Sequence, residues 1–190
     1  MAPLPPDEFT RLDMVTILFH SRISTPGGFQ AVPQDAPTLD FWFEFASTYS
    51  YPAVLRIAPL AEKVGVTVIL EMLNSRVDHR GFQGDTSAYG IAVAEKVNSP
   101  RVRLLYDIYH MQISEGDIIR SIRTNGKYFA HYHTAGNPGR NEIGDTQELN
   151  YPAIAKAITD TGYTGWIAHE FSPRGDKEVA LVEARDKCTV

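Results

Sequence analysis

Val66–Leu70, VTVIL, runs directly into Glu71, and the same grammar returns three more times along the chain. Arg101–Tyr106, RVRLLY, ends at Asp107; Lys127–Tyr132, KYFAHY, ends at His133; Gly165–His169, GWIAH, ends at Glu170. Each run is rich in β-branched or aromatic residues, as strands are. The segments between them carry helical spacing, so the order is strand, polar residue, helix, repeated four times. In a barrel of parallel strands the residue closing each strand faces one shared mouth. Two glutamates, an aspartate and a histidine would therefore converge although they are spread over about a hundred residues. Three oxygen ligands and one nitrogen suit Mn²⁺, Mg²⁺ or Co²⁺ better than an ion that prefers thiolates.

Working outward from Val66, the preceding unit is also legible. Leu39–Phe45, LDFWFEF, alternates and is aromatic-rich, which predicts a strand. Ser47 to Ser50 supply helix-capping residues, and Val54, Ile57, Leu60, Ala61 and Val64 then recur at helical spacing. Pro52 falls in the first turn, where proline is tolerated, and Gly65 ends the helix. Strand, helix and VTVIL make a βαβ unit. Residues 1–38 are broken by Pro3, Pro5, Pro6, Pro26, Pro33 and Pro37 and read as an irregular leader, with one short strand near Met14–Phe19. The resulting fold class is α/β, a partial barrel of about five parallel strands with helices. A closed barrel needs eight such units, so this one has an open edge to be covered by the N-terminal segment, by a second copy of the chain, or by nothing.

The 190 residues are 43% hydrophobic and 22% charged, an ordinary globular balance. A net charge of −5 with interspersed signs argues against nucleic acid or an anionic membrane as partner. No apolar run approaches the ~20 residues of a membrane span. The N-terminus lacks a secretory pattern, and the single cysteine, Cys188, offers no disulfide framework. A cytoplasmic protein acting on a small molecule is the expectation.

Two resemblances to known families sharpen this. VILEMLNSR, SPRVRLLYDIYHMQISEGD, HYHTAGNPGRNE with DTQELNYPAI, and GYTGWIAHEFSPRGD resemble the C-terminal half of the hydroxypyruvate isomerases, over residues 66–186. Those enzymes, with the ketose 3-epimerases, are xylose-isomerase-like TIM barrels. The resemblance implies metal ligation by Glu71, Asp107, His133 and Glu170, with Glu71 and Glu170 also moving the proton. It further implies substrate contacts from His110, in the DIYH run, and from Arg140, beyond the His133 strand. His133 is the residue the epimerases carry there, whereas the hydroxypyruvate isomerases often carry glutamine. Val77 stands where the epimerases have a glutamate, which favours a small hydroxyacid over a ketose.

The stretch DFWFEFASTYSYPAVLRIAPLAEKVGV resembles the start of the 2-hydroxychromene-2-carboxylate isomerases, thioredoxin-like relatives of the kappa-class glutathione transferases. It would place a thioredoxin-like βα unit at 39–65 and the half barrel at 66–190, with Ser47 at the glutathione-activating position. Thr48 replaces the proline usual there, and Ser47 reads better as a helix N-cap than as a catalytic group.

The expected reaction moves a proton between adjacent carbons through an enediolate, as in the conversion of hydroxypyruvate to tartronate semialdehyde. A metal would polarise the oxygens and two carboxylates would handle the proton. The competing expectations are a ketose 3-epimerase, a glutathione-dependent isomerase working through Ser47, and a non-catalytic fusion remnant. His131 and His169 are expected to face away from the mouth as packing groups, Asn74 to shape the loop after Glu71, and His79 stays without a role.

Overall fold

The repeated apolar runs do form strands, and glycines and polar caps separate them from helices. The structure is a computed structural model and describes residues 15–20, 41–43 and 50–190, with side chains from residue 56 onward. In chain order the elements are β1 (Val15–His20), β2 (Phe41–Phe43), α1 (Ser50–Val64), β3 (Thr67–Glu71), α2 (Ser87–Val97), β4 (Val102–Asp107), α3 (Ile108–Ser114), α4 (Ile118–Asn125), β5 (Phe129–Thr134), α5 (Tyr151–Asp160), β6 (Ile167–His169) and α6 (Lys177–Cys188). Boundaries follow local chemistry. Thr86 caps α2 by accepting from the Tyr89 N–H, Asn150 caps α5 from Ala153, and Asp176 caps α6 from Glu178 and Val179. Gly65, at φ 77°, turns the chain out of α1 into β3.

The sheet order is β2-β1-β3-β4-β5-β6. β3, β4, β5 and β6 pair in parallel, each joined to the next by helix, as barrel units are. β1 pairs antiparallel with both β2 and β3. β2 therefore runs in the direction of β3, as the βαβ reading requires, but β1 stands between them. The strand expected near residues 14–19 is thus a member of the sheet, although it falls within the segment read as an irregular leader. The rest of residues 1–38, like Ser47, lies outside the described residues. No helix among them is long and apolar enough to cross a membrane.

Alternation along the strands sets two faces. Leu104, Tyr106, Phe129 and Tyr132 point to the helix side, where they meet Met111, Ile118, Ile122, Tyr151, Ile154 and Ile158 in one buried core. Gly90 lets α2 approach this face closely, because a Cβ there would sit 2.6 Å from Met72 Sδ and 3.2 Å from Leu104. The other face carries Ile69, Leu105 and His131, all buried, with the polar strand ends above them.

One irregularity in β5 decides which residues reach the mouth. Leu104 pairs with Phe129, yet Leu105 pairs with His131, so β5 holds one extra residue at that point. Since a one-residue slip exchanges faces, the bulge brings His133 rather than Tyr132 level with Asp107.

Candidate metal centre

Glu71 closes β3 and Asp107 closes β4; His133 is the penultimate residue of β5, and Glu170 follows β6 directly. The Glu170 N–H donates to the Thr134 carbonyl at 3.0 Å, which extends the β5–β6 pairing to this residue. One ligand atom from each of Glu71, Asp107, His133 and Glu170 lies within 4.8 Å of all the others. Thus the four residues singled out by their strand-end positions do converge. Asp107 serves twice, since its Oδ1 also accepts from the His110 N–H and caps α3.

The charges are arranged around one imidazole nitrogen. His133 Nδ1 lies 3.1 Å from Glu170 Oε2, 3.5 Å from Glu71 Oε1 and 3.8 Å from Asp107 Oδ2. Burial alone would lower the His133 pKa, but the hydrogen bond to Glu170 and the carboxylates of Glu71 and Asp107 outweigh it and raise it to about 9. Asp107 is wholly buried, and that burial, with the Glu71 carboxylate nearby, pushes its pKa up to about 7. Glu170 behaves oppositely. Its hydrogen bond to His133 and, despite partial burial, the Arg140 guanidinium hold it down at about 2. Arg140 reaches Glu170 Oε2 at 2.6 Å and Asp107 Oδ2 at 4.0 Å.

A divalent cation fits this donor set. Glu71 Oε1 and Asp107 Oδ2 are buried acceptors without a hydrogen-bond donor among the described residues. Buried acceptors left unpaired are costly, and a cation between them would satisfy both. Positive charge also reaches these carboxylates from protonated His133 and from Arg140.

Arg140 is delivered by backbone geometry. Gly139 and Arg140 have φ of 101° and 54°, and the Arg140 N–H donates to the Gly136 carbonyl at 2.8 Å. A non-glycine residue in this left-handed region costs on the order of 1 kcal/mol, a strain that packing must hold. Its guanidinium carbon lies 5.7 Å from the centre of the Tyr109 ring.

His110 is fully buried next to the cluster. Burial, followed by the charge of Arg140 and by His79, lowers its pKa to about 3, so the ring is neutral. His79, unassigned from sequence, packs its ring 5.3 Å from that of His110. His169 points away from the cluster, as expected, with Nδ1 2.7 Å from Thr134 Oγ1. His131 does not. It stands two residues before His133 and so shares its face, with ring centres 5.0 Å apart. The expectation that His131 turns away from the mouth is corrected by this period of two.

Sequence reading missed Asp78 and Tyr109. The Tyr109 hydroxyl donates to Asp78 Oδ2 at 2.9 Å, and Asn74 Nδ2 donates to the same oxygen at 2.7 Å. The dense polar stretch after Glu71 was their trace in the sequence, but the partner Tyr109 comes from a different βα unit.

A model of the xylose isomerase-like TIM barrel family matches residues 48–187. The chain belongs to this family. It is 35% identical over 124 residues to a 2-oxo-tetronate isomerase of Cupriavidus necator, covering 65% of this chain and 47% of that one. It is 30% identical over 124 residues to the hydroxypyruvate isomerase of Escherichia coli K12, with the same two coverages, 65% and 47%. The crystal structure of D-psicose 3-epimerase with D-tagatose, from Clostridium cellulolyticum H10, superposes with a TM-score of 0.62. That pair is 26% identical, over 74% of this chain and 56% of the epimerase. The chain spans about half the length of the proteins it matches. The family match begins at residue 48 and takes in α1, within the stretch 39–65 that resembles the chromene carboxylate isomerases. It assigns that helix to the barrel family, and none of these matches supports a thioredoxin-like unit there.

Proposed function

We propose that this chain carries the metal centre and proton-transfer groups of an isomerase for small α-hydroxy carbonyl acids of the hydroxypyruvate type. The convergence of Glu71, Asp107, His133 and Glu170, with Arg140 resting on Glu170, is the observation that carries this reading. A divalent cation held by the four would polarise the substrate's carbonyl and hydroxyl oxygens and stabilise the negative charge that develops on them. Mn²⁺, Mg²⁺ and Co²⁺ all suit the ligands.

Glu71 and Glu170 reach the cluster from β3 and β6, with β4 and β5 between them. One takes the proton from the hydroxymethyl carbon, and the electron pair left behind forms the enediolate. A proton then returns to the former carbonyl carbon, while the hydroxyl proton passes from one oxygen to the other. Arg140 grips the substrate carboxylate, for which a planar guanidinium is well shaped. An anionic substrate that draws Arg140 away also frees Glu170 from a partner that weakens it as a base. His110 donates to a substrate oxygen.

A ketose 3-epimerase is the second reading, favoured by histidine at position 133 and by the likeness to D-psicose 3-epimerase. Against it stands Val77, exposed at the mouth-side loop where the epimerases are expected to carry a glutamate. The test is turnover of hydroxypyruvate and of D-psicose by the full chain supplied with Mn²⁺, alone and as Glu170→Gln. Glu170 is half exposed, so the variant should fold normally while losing essentially all turnover. A variant as active as the parent removes Glu170 from proton transfer. Preference for D-psicose selects the epimerase. A metal-loaded chain inert toward both substrates selects a non-catalytic fusion remnant, and activity that follows glutathione rather than metal selects Ser47 chemistry.

A further inference from the structure

Asn74 sits three residues beyond Glu71 and is completely buried. Its amide orientation is decided by its neighbours. Oδ1 accepts from the backbone N–H groups of Val77 at 2.9 Å and Asp78 at 3.1 Å, closing an Asx-type turn. Two backbone donors on one atom require that atom to be the oxygen, so the amino group must be the end that faces His110 and Asp78.

His110 Nδ1 lies 2.6 Å from that amino nitrogen. It also accepts the backbone N–H of Asn74 at 3.2 Å. Both groups within hydrogen-bond reach of Nδ1 are donors, and the Asp78 carboxylate oxygen, 4.0 Å away, lies beyond that reach, so Nδ1 presents its lone pair. In a neutral imidazole the proton then resides on Nε2. Nε2 is buried and has no hydrogen-bond partner among the described residues. The carboxylate oxygen recorded next to it, Asp107 Oδ2, is 4.0 Å away, beyond hydrogen-bond reach. Asp107 Oδ2 belongs to the ligand cluster, so the unpaired N–H stands at the edge of the metal centre.

We propose that Asn74 is a positioning residue that locks His110 in the Nε2–H tautomer, holding a neutral hydrogen-bond donor at the metal centre for a substrate oxygen. The lock extends outward through Asp78, which accepts from both Asn74 Nδ2 and the Tyr109 hydroxyl. The loop after β3 is thereby tied to α3, the helix that carries His110. With Nδ1 occupied, His110 has no free site at which to take up a proton, so it orients and polarises the substrate and does not exchange protons with it. This assigns proton transfer to the carboxylates alone. A preorganised donor aimed where negative charge develops stabilises an enediolate more than a ground-state carbonyl, so its loss should fall on kcat rather than on KM. That kinetic half rests on the isomerase reading, whereas the tautomer does not.

The decisive experiment is ¹⁵N NMR of the histidine ring nitrogens in the full chain, with His110 assigned by difference against His110→Gln. The expected spectrum shows Nδ1 as an unprotonated acceptor and Nε2 as protonated. Nδ1 carrying the proton overturns the proposal, and this measurement needs no substitution at position 74. Asn74→Asp then changes one atom group, replacing the donor that faces Nδ1 with an acceptor. The expected result is a proton moved onto Nδ1, with kcat for hydroxypyruvate lowered about tenfold or more and KM within about twofold, as for a hydrogen bond realised mainly in the transition state. A variant with the parent's ring signals and the parent's kcat overturns the assignment. If the parent chain turns over no substrate, the isomerase reading fails, and the ring signals still decide the lock.

Discussion

Metal binding to this centre should be strongly pH-dependent, and the structure sets the size of the effect. In the metal-free protein His133 holds a proton with a pKa of about 9 and Asp107 one of about 7. Both atoms must be proton-free to ligate a cation. At pH 6 a bound metal therefore displaces roughly two protons, and at pH 8 roughly one. Competition from those protons should weaken the apparent affinity about a thousandfold at pH 6 relative to pH 8, or ~4 kcal/mol at ~1.4 kcal/mol per decade. The same two groups set the stability of the metal-free fold. Their folded pKa values lie above the ordinary 3.8 and 6.5, so their contribution is complete below those values and is lost as pH rises through about 7 and about 9. Glu170, held at about 2, contributes in the opposite sense, and its contribution is lost as pH falls from the ordinary 4.5 through about 2. The unfolding temperature of the metal-free chain should therefore fall from pH 6 to pH 9, while the increment produced by Mn²⁺ grows over the same interval. Calorimetric titration in two buffers of different ionisation heat counts the protons released. An affinity indifferent to pH, or no proton release at pH 6, would refute the argument.

Arg140→Ala should raise KM for hydroxypyruvate more than for D-psicose, because only the former offers a carboxylate to the guanidinium; equal effects would remove anion recognition from Arg140. Gly90→Ala should cost about 1–3 kcal/mol in urea unfolding, since its Cβ would meet Met72 Sδ at 2.6 Å. A neutral result would mean that Met72 swings aside and that alanine's ~1 kcal/mol advantage over glycine within α2 offsets the remaining clash. Tyr151→Phe removes a buried hydroxyl that donates to the Ala135 carbonyl at 2.7 Å and accepts its N–H at 3.0 Å. Two buried backbone groups are left unpaired, so the expected loss is again about 1–3 kcal/mol. An unchanged unfolding midpoint would show that water replaces the hydroxyl.

Much of this protein was legible along the chain because its signals are local. VTVIL, RVRLLY, KYFAHY and GWIAH each carry enough β-branched and aromatic character to be strands on their own. A polar residue at the end of each follows one rule of parallel barrels, so Glu71, Asp107, His133 and Glu170 could be listed before any contact was known. One helix limit, the stop at Gly65, was read the same way, whereas the caps Thr86, Asn150 and Asp176 emerged only with the structure. Tertiary structure alone decided the rest. The place of β1 between β2 and β3 depends on pairing partners far apart in sequence, which no local pattern encodes. The bulge in β5 sets which histidine lies level with Asp107, and it exists only as a register between two strands. The Asn74–His110 contact spans 36 positions and the Arg140–Glu170 pair 30. Periodicity reports which face a residue occupies, but the state of a proton depends on what stands across from it.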